Sequence, residues 1–93
     1  MNKIMRMHVF FSGQVQGVGF RFTSREIAAE LSILGWVKNG KDGRVEIVAE
    51  QDEETLKRFL NRLQHAFSRY ITDVAVTWEE ATEEFDGFGV EFV

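Results

Sequence analysis

The sequence predicts an α+β fold in which two helices pack on one face of a mostly antiparallel sheet. Two segments carry apolar residues at helical spacing, and five others are short and have the alternating or apolar character of strands. The glycines between these segments supply turns, and the chain contains no proline. Because 93 residues leave room for one small core, we expect a single domain over residues 1–93.

The first strand is predicted over residues 5–11, and the first helix follows a glycine-rich loop. Residues of this strand alternate in character, and the side predicted to be buried consists of Met5, Met7, Val9 and Phe11. The apolar stripe of the helix consists of Ile27, Ala28, Leu31 and Leu34. Thr23 with Glu26 forms a candidate capping box, and Gly35 is the expected end.

The stretch "WVKNGKDGRVEIVAE" predicts two strands joined by a turn. Asn39-Gly40 and Asp42-Gly43 are pairs that tolerate the positive φ of tight turns. In the second strand one face consists of Val45, Ile47 and Ala49, and the opposite face of Arg44, Glu46 and Glu50. This alternation indicates a strand with one buried and one polar face.

The second helix is predicted from about Asp52 to Phe67. Asp52 is its expected cap, and Glu53 and Glu54 suit the positive end of the helix dipole. Its apolar stripe consists of Leu56, Phe59, Leu60, Leu63 and Phe67. Two further strands are expected, one with Val74, Val76 and Trp78 on one face, the other with Phe88, Val90 and Phe92 together.

The resulting order is β-α-β-β-α-β with a short additional terminal strand. This is the order of a ferredoxin-like split βαβ arrangement. A fold of this kind supports many functions, so the function has to come from particular residues.

Charge and composition restrict the partners of the protein. The formal net charge of −4 argues against nucleic acid, whose phosphates are bound by clustered lysine and arginine. The chain has no cysteine, no apolar run of membrane-spanning length and no signal-like apolar segment at its start. We therefore expect a cytoplasmic monomer that binds neither nucleic acid nor membrane.

The segment "SGQVQGVGFRF" is the first candidate site, because it places three glycines and an arginine between a strand and a helix. It lacks the third glycine of the dinucleotide fingerprint and the Gly-Lys-Ser/Thr of the P-loop. Backbone N–H groups at such a junction can converge on an anion, and Arg21 adds a bidentate positive group. A tight turn with a surface arginine is the equally weighted alternative.

Asn39 is the second candidate, at the end of a predicted strand just before Gly40. Asparagine before glycine is usually a turn residue, but an amide at a strand end can also hold a water by donating and accepting hydrogen bonds. His8 and His65 lie on different elements without a third ligand, so no metal site is expected. The acidic runs 52–54 and 79–84 are interpreted as a helix start and a solvated edge.

Two segments together resemble a known family. "GQVQGVGFR", residues 13–21, resembles the first signature of the acylphosphatase family, G-x-V-Q-G-V-x-F-R. "GWVKNGKDGRVE", residues 35–46, is similar to the second signature, in which G-W-V-x-N precedes a turn and a strand. The spacing from Arg21 to Asn39 also agrees with that of the family.

The resemblance implies an enzyme that hydrolyses carboxyl-phosphate mixed anhydrides to carboxylate and inorganic phosphate, without metal or organic cofactor. It implies that Arg21 stabilises the phosphoryl group and that Asn39 positions the attacking water. The phosphoryl oxygens would be held by the backbone amides of Gln14, Val15, Gln16, Gly17, Val18, Gly19 and Phe20. The expected ligands are a small acyl phosphate and inorganic phosphate or another anion as product or inhibitor.

The principal alternative is a ferredoxin-like module that binds a small molecule or anion without catalysis. An RNA-recognition module is disfavoured because "RVEIVAE" has no aromatic residue for base stacking. A copper chaperone would need a Cys-x-x-Cys motif, which the chain lacks. A domain cut from a larger carbamoyl-handling maturation protein is also considered, although the ends of the sequence look complete.

Overall fold

The computed structural model describes residues 3–92. Its strands are β1 (Ile4–Gly13), β2 (Leu34–Asn39), β3 (Val45–Asp52), β4 (Ile71–Glu80) and β5 (Phe88–Glu91), and its helices are α1 (Phe20–Glu30) and α2 (Glu53–Ala66). The sheet order is β4-β1-β3-β2-β5, in which only the β2–β5 pair is parallel. The predicted element order and the mostly antiparallel sheet are confirmed.

The core lies between the two helices and one face of the sheet, here called the helix-covered face. In the register of β1 with β3, Met7 lies opposite Ala49, Val9 opposite Ile47 and Phe11 opposite Val45. All six of these side chains are fully buried. The helices also contribute side chains to this core, namely those of Phe20, Ile27, Ala28, Leu56, Phe59 and Leu63.

Asn39 occupies a position of the core face. The register of β2 with β3 pairs it with Val45, which in turn pairs with Phe11. Since side chains alternate between the faces of a sheet, Asn39 shares the helix-covered face with Val37. An amide therefore stands at the end of a row of apolar side chains, beside the start of α1.

The start of α1 differs from the prediction. The helix begins at Phe20, with Gly19 as its N-cap, and no side chain caps it. Thr23 already lies in the first turn, so the predicted Thr23–Glu26 capping box is wrong. The cause is Phe20, which is 2% exposed and stacks on Phe67 at 4.5 Å between ring centroids, so that core packing fixes the start of the helix.

The end of α1 also differs. The helix stops at Glu30, and the turn to β2 passes through Ser32 at φ 56. Leu34 and Gly35 are strand residues, so Leu34 is not part of the helical stripe and Gly35 does not end the helix. A Cβ on Gly35 would lie 1.9 Å from the backbone oxygen of Val48, which explains the glycine by the close approach of β2 and β3.

The second helix agrees with its prediction. Asp52 caps α2, because its carboxylate accepts hydrogen bonds from the Thr55 backbone N–H at 3.1 Å and from the Thr55 hydroxyl at 2.7 Å. These bonds hold the pKa of Asp52 below its ordinary value. On the surface of α2, Glu53 and Lys57 form an ion pair at 2.8 Å. Within residues 3–92, no helix is long and apolar enough to cross a membrane.

Candidate functional site

A cavity of about 390 Å³ lies where the glycine loop enters α1. Its walls come from the loop, the first turns of α1, the end of β2 and the segment that contains β5. The lining residues are Val15, Gly17, Gly19, Phe20, Arg21, Phe22, Arg25, Asn39, Val90 and Phe92. The fold therefore brings the two predicted site residues, Arg21 and Asn39, to one cavity.

The cavity is positively charged although the chain as a whole is acidic. Of the described residues that line it, Arg21 and Arg25 are ionisable and none is acidic. Neither arginine forms an ion pair with a carboxylate in residues 3–92. Two unpaired guanidinium groups beside one opening favour an anionic ligand.

The start of α1 leaves its backbone donors open to the cavity. No side chain caps this end, and its first turn contains no acidic residue, whereas α2 has both a capping Asp52 and two acidic residues. The first N–H groups of a helix have no acceptor inside the helix and carry partial positive charge. The contrast between the two helices identifies α1 as the one whose first amides remain available to a ligand.

The loop before α1 adds further free donors. Apart from Gln14, the predicted loop amides donate to no other described residue; these are the amides of Val15, Gln16, Gly17, Val18, Gly19 and Phe20. They extend the row of open donors at the start of α1, and they belong to the set that the resemblance implies. The side chain of Val18, between them, packs against the core.

Gln14 is an exception among the predicted loop residues. Its backbone N–H donates to the carbonyl oxygen of Tyr70 at 2.9 Å. This bond ties the start of the loop to the segment that precedes β4, so the Gln14 amide is not free to hold an anion. The prediction for Gln14 is therefore corrected.

Gln16 connects the glycine loop to the β2–β3 turn. Its side-chain amide donates to the carbonyl oxygens of Gly40 at 2.8 Å and Arg44 at 3.0 Å. Gly40 follows Asn39 directly, and its own N–H donates to Arg44 at 2.7 Å. The side chain of Gln16 thereby fixes the loop relative to Asn39.

Asn39 itself has an unused hydrogen-bonding atom. Its Oδ1 is buried and has no hydrogen-bond partner in the described chain, where no other buried side-chain nitrogen or oxygen is in this situation. A buried acceptor without a partner costs free energy, about 1–3 kcal/mol. Because Asn39 is one of the residues that line the cavity, this unsatisfied oxygen indicates a place for a water or a ligand hydroxyl.

The cavity also contains residues that the sequence did not single out. Phe22 and Arg25 lie one and four residues after Arg21, and Val90 and Phe92 come from the C-terminal segment. Within residues 3–92 no group of three histidine, cysteine, aspartate or glutamate side chains is arranged to hold a metal ion. His8 instead pairs with Glu46 at 2.6 Å, on the opposite face of the sheet.

The comparisons with known proteins identify one family over nearly the whole chain. The chain matches the acylphosphatase family model over residues 7–90, which includes both signature segments. It is 40% identical over 91 residues to an acylphosphatase of Roseiflexus sp. (strain RS-1), with 97% of this chain and 98% of that protein covered. It is 45% identical over 87 residues to an acylphosphatase of Bacillus licheniformis, with 91% and 92% covered.

A solved structure gives the same result for the fold. The crystal structure of acylphosphatase from Bacillus subtilis matches with a TM-score of 0.86 at 37% identity, and the match covers 94% of this chain and 98% of that chain. The likeness in sequence and in structure thus extends over nearly the whole length of both proteins.

Proposed function

The chain belongs to the acylphosphatase family, and from this premise we propose that Arg21 and Asn39 carry its catalysis. The reaction is hydrolysis of an acyl phosphate, the mixed anhydride of a carboxylic acid and phosphoric acid, to a carboxylate and inorganic phosphate. In this proposal the glycine loop binds the phosphoryl group, Arg21 stabilises its charge and Asn39 holds the water.

The phosphoryl site is supported by the donors that meet at the start of α1. The Arg21 guanidinium would pair with the phosphoryl group, whose oxygens would accept hydrogen bonds from the free amides of Val15, Gln16, Gly17, Val18, Gly19 and Phe20. These donors are fixed before the substrate binds, so little reorganisation is needed as charge develops. Gln14, whose amide is occupied, is left out.

The observation that carries the proposal is the buried Asn39 Oδ1 without a partner. A water that donates one hydrogen bond to this oxygen is held in the wall of the cavity that Arg21 lines. Its lone pair can then be directed at the phosphorus of a substrate bound to the loop. Positioning of this kind is a large part of what phosphoryl transfer requires of a protein.

The bonding changes balance without a protein base. The water oxygen forms a bond to phosphorus, the bond from phosphorus to the acyl oxygen breaks, and the electron pair leaves with the carboxylate. Among residues 3–92 no carboxylate or imidazole lines the cavity, and in this proposal the proton of the water passes to a phosphoryl oxygen of the substrate. A carboxylate is a stable leaving group and needs no general acid.

The proposal includes a monomer acting in the cytoplasm. Of the four large hydrophobic side chains that are exposed in the described chain, Phe22 and Phe92 line the cavity. The other two, Tyr70 and Trp78, are eight residues apart along an extended segment, which corresponds to about 26 Å. They form no continuous apolar patch of the kind that marks an interface. Light scattering and cell fractionation test these two points.

The experiment is phosphate release from acetyl phosphate in the presence of EDTA. Arg21→Ala should lower kcat/KM by about 10³-fold and weaken binding of inorganic phosphate, because the guanidinium contacts the phosphoryl group. Asn39→Ala should lower kcat by about 10²-fold and largely keep phosphate affinity, because only the water loses its partner.

Matched controls separate these effects from general changes in charge or stability. Arg58→Ala and Asn61→Ala remove the same side chains from exposed positions of α2 and should leave kcat and KM unchanged. An Arg21→Ala enzyme as fast as wild type contradicts the proposal. Phosphate binding by wild type without turnover would instead support an anion-binding module.

A further inference from the structure

Arg25 is a second guanidinium in the cavity, and the proposed reaction leaves it without a role. It lines the same opening as Arg21, but its side chain is exposed, whereas that of Arg21 is half-buried. No carboxylate among residues 3–92 pairs with it. The two acidic residues of α1, Glu26 and Glu30, line a different groove, between the two helices. Arg25 therefore presents a positive charge to the cavity that its own helix does not neutralise.

The position of Arg25 on α1 directs its side chain toward that of Arg21. The two residues are four apart, so they lie on the same face of the helix, about 6 Å apart along its axis. Helical side chains lean toward the N-terminus, and that of Arg25 therefore extends over the turn that carries Arg21. Its Cζ lies over the ring of Phe22, 4.9 Å from the ring centre. A guanidinium that stacks on a ring keeps the N–H donors at the edge of its plane available to an anion.

The phosphoryl group leaves this guanidinium free, because its oxygens have enough other donors. A phosphoryl group has three outer oxygens, with roughly six lone-pair sites between them. In the proposed function the glycine loop supplies six backbone amides, and Arg21 adds its own N–H groups. The donors of Arg25 exceed what these oxygens can accept, so they are available to another part of the substrate.

We propose that Arg25 binds a carboxylate in the acyl part of the substrate, so that acyl phosphates of dicarboxylic acids are preferred to neutral acyl phosphates of the same size. The inference rests on the proposed function, because the phosphoryl site fixes where the acyl part lies. The planar N–H fork of a guanidinium matches the two oxygens of a carboxylate, and the hydrogen bonds between them are charge-assisted. Arg25 is thus a specificity-determining residue.

The test compares kcat/KM for 4-carboxybenzoyl phosphate and 4-carbamoylbenzoyl phosphate, which differ only in that a charged carboxylate replaces a neutral amide. The rigid ring keeps this group away from the acyl phosphate in both compounds. Wild type should prefer the carboxylate substrate, and the carboxylate-to-amide ratio should fall about fivefold in Arg25→Gln, because an exposed ion pair is lost. Arg25→Lys keeps the charge and should retain part of the ratio, whereas Arg25→Glu should reverse the preference.

A matched control and salt separate a local ion pair from a general change in charge. Arg58→Gln removes the same charge from an exposed position of α2 outside the cavity and should keep the wild-type ratio. The wild-type ratio should fall as sodium chloride is raised from about 0.01 M to about 1 M, because salt screens an exposed pair. The ratio of Arg25→Gln should not change with salt.

A second measurement records binding without turnover, by calorimetry with the corresponding acylphosphonates. Wild type should bind 4-carboxybenzoylphosphonate more tightly than 4-carbamoylbenzoylphosphonate, and Arg25→Gln should narrow this difference about fivefold. If Arg25→Gln instead weakens both substrates and inorganic phosphate equally, Arg25 belongs to the phosphoryl site. That result overturns the carboxylate subsite while the proposed function stands. If wild type hydrolyses neither substrate, the proposed function fails, and a phosphonate difference that persists in Arg25→Gln then overturns the subsite as well.

Discussion

Gly19 joins the loop to α1 with a backbone conformation that favours glycine. Its φ is 83, in the left-handed region, and a Cβ built there meets no atom within 4 Å. Glycine is thus favoured here by the backbone angle and not by packing. Because Gly19 lines the cavity, we expect a methyl group at this position to interfere with a bound ligand.

Gly19→Ala is predicted to weaken phosphate binding more than it weakens folding. A left-handed alanine costs about 1 kcal/mol, and the methyl group would crowd the phosphoryl oxygens. The matched control is Gly43→Ala, at φ 90 with equally open space but outside the cavity. Urea unfolding should show similar losses in both variants, and calorimetry with inorganic phosphate should show weaker binding in Gly19→Ala alone. Equal phosphate affinities would remove Gly19 from the phosphoryl site.

At the scale of single residues, the sequence predicts those residues of the candidate site that lie within a local sequence motif. Two separate motifs predict Arg21 and Asn39, and the structure brings both residues to one cavity. Phe92 was not predicted as a site residue, because only the parallel pairing of β5 with β2 carries it there. Gln14 was predicted wrongly, since nothing local indicates that its N–H bonds Tyr70.

At the scale of elements, the site depends on the fixed relation between the glycine loop and the end of β2. The loop contributes the free amides and β2 contributes Asn39, and the Gln16 side chain joins them through two hydrogen bonds to backbone carbonyls. Sequence patterns located both elements but not the bond between them. A glutamine in a loop carries no periodic signal that would reveal its partners.

Gln16→Ala is predicted to lower kcat together with stability. The loss of two side-chain hydrogen bonds should cost about 1–2 kcal/mol in urea unfolding. Because the loop is then no longer fixed to the β2–β3 turn, the water on Asn39 and the phosphoryl group are aligned less often, and kcat falls.

The control for this prediction is Gln51→Ala. Gln51 also donates a side-chain hydrogen bond to a backbone carbonyl, that of Ser32 at 2.8 Å, but does not line the cavity. It should lose some stability and keep the wild-type kcat. If kcat of Gln16→Ala equals that of wild type, the hydrogen bonds of the Gln16 side chain contribute to stability only.

At the scale of the whole molecule, residues 81–87 cross the open face of the sheet, opposite the helices, and lead into β5. They are held by Glu50, whose carboxylate is 1% exposed. It accepts hydrogen bonds from Arg6 at 2.8 Å and from the backbone N–H groups of Thr82 and Glu83, each at 2.9 Å. Since β5 and Phe92 follow this segment, the cluster on the open face determines how one wall of the cavity is placed.

The sequence indicates the acidic run 79–84 and the polar face that carries Glu50, but not the contact between them. The run 79–84 was interpreted as a solvated edge, and its glutamates are indeed largely exposed. Alternation placed Glu50 on a polar face, but the crossing segment buries it. Periodicity assigns a residue to a face of the sheet and does not show whether a distant loop covers that face.

Glu50→Gln is predicted to lower stability at neutral pH and to remove part of the loss of stability in acid. Burial by itself raises the pKa of Glu50, but the hydrogen bonds from Thr82, Arg6 and Glu83 outweigh it and hold the pKa below its ordinary value. A depressed carboxyl pKa contributes stability above the unfolded value, about 4.3, and this contribution is lost as the pH falls through the folded value. Removing the charge opposite Arg6 should cost about 3 kcal/mol at pH 7.

The measurement is the free energy of unfolding in urea between pH 7 and pH 3 for wild type, Glu50→Gln and Glu26→Gln. The difference between wild type and Glu50→Gln should be largest at pH 7 and should shrink as the pH falls below about 4.3, because the unfolded wild-type chain then binds a proton that Glu50 in the folded protein takes up only at lower pH. Glu26 is exposed on α1 and forms no ion pair with a described residue, so its variant should follow wild type at every pH. A difference that stays constant with pH would mean that the charge of Glu50 does not hold the crossing segment.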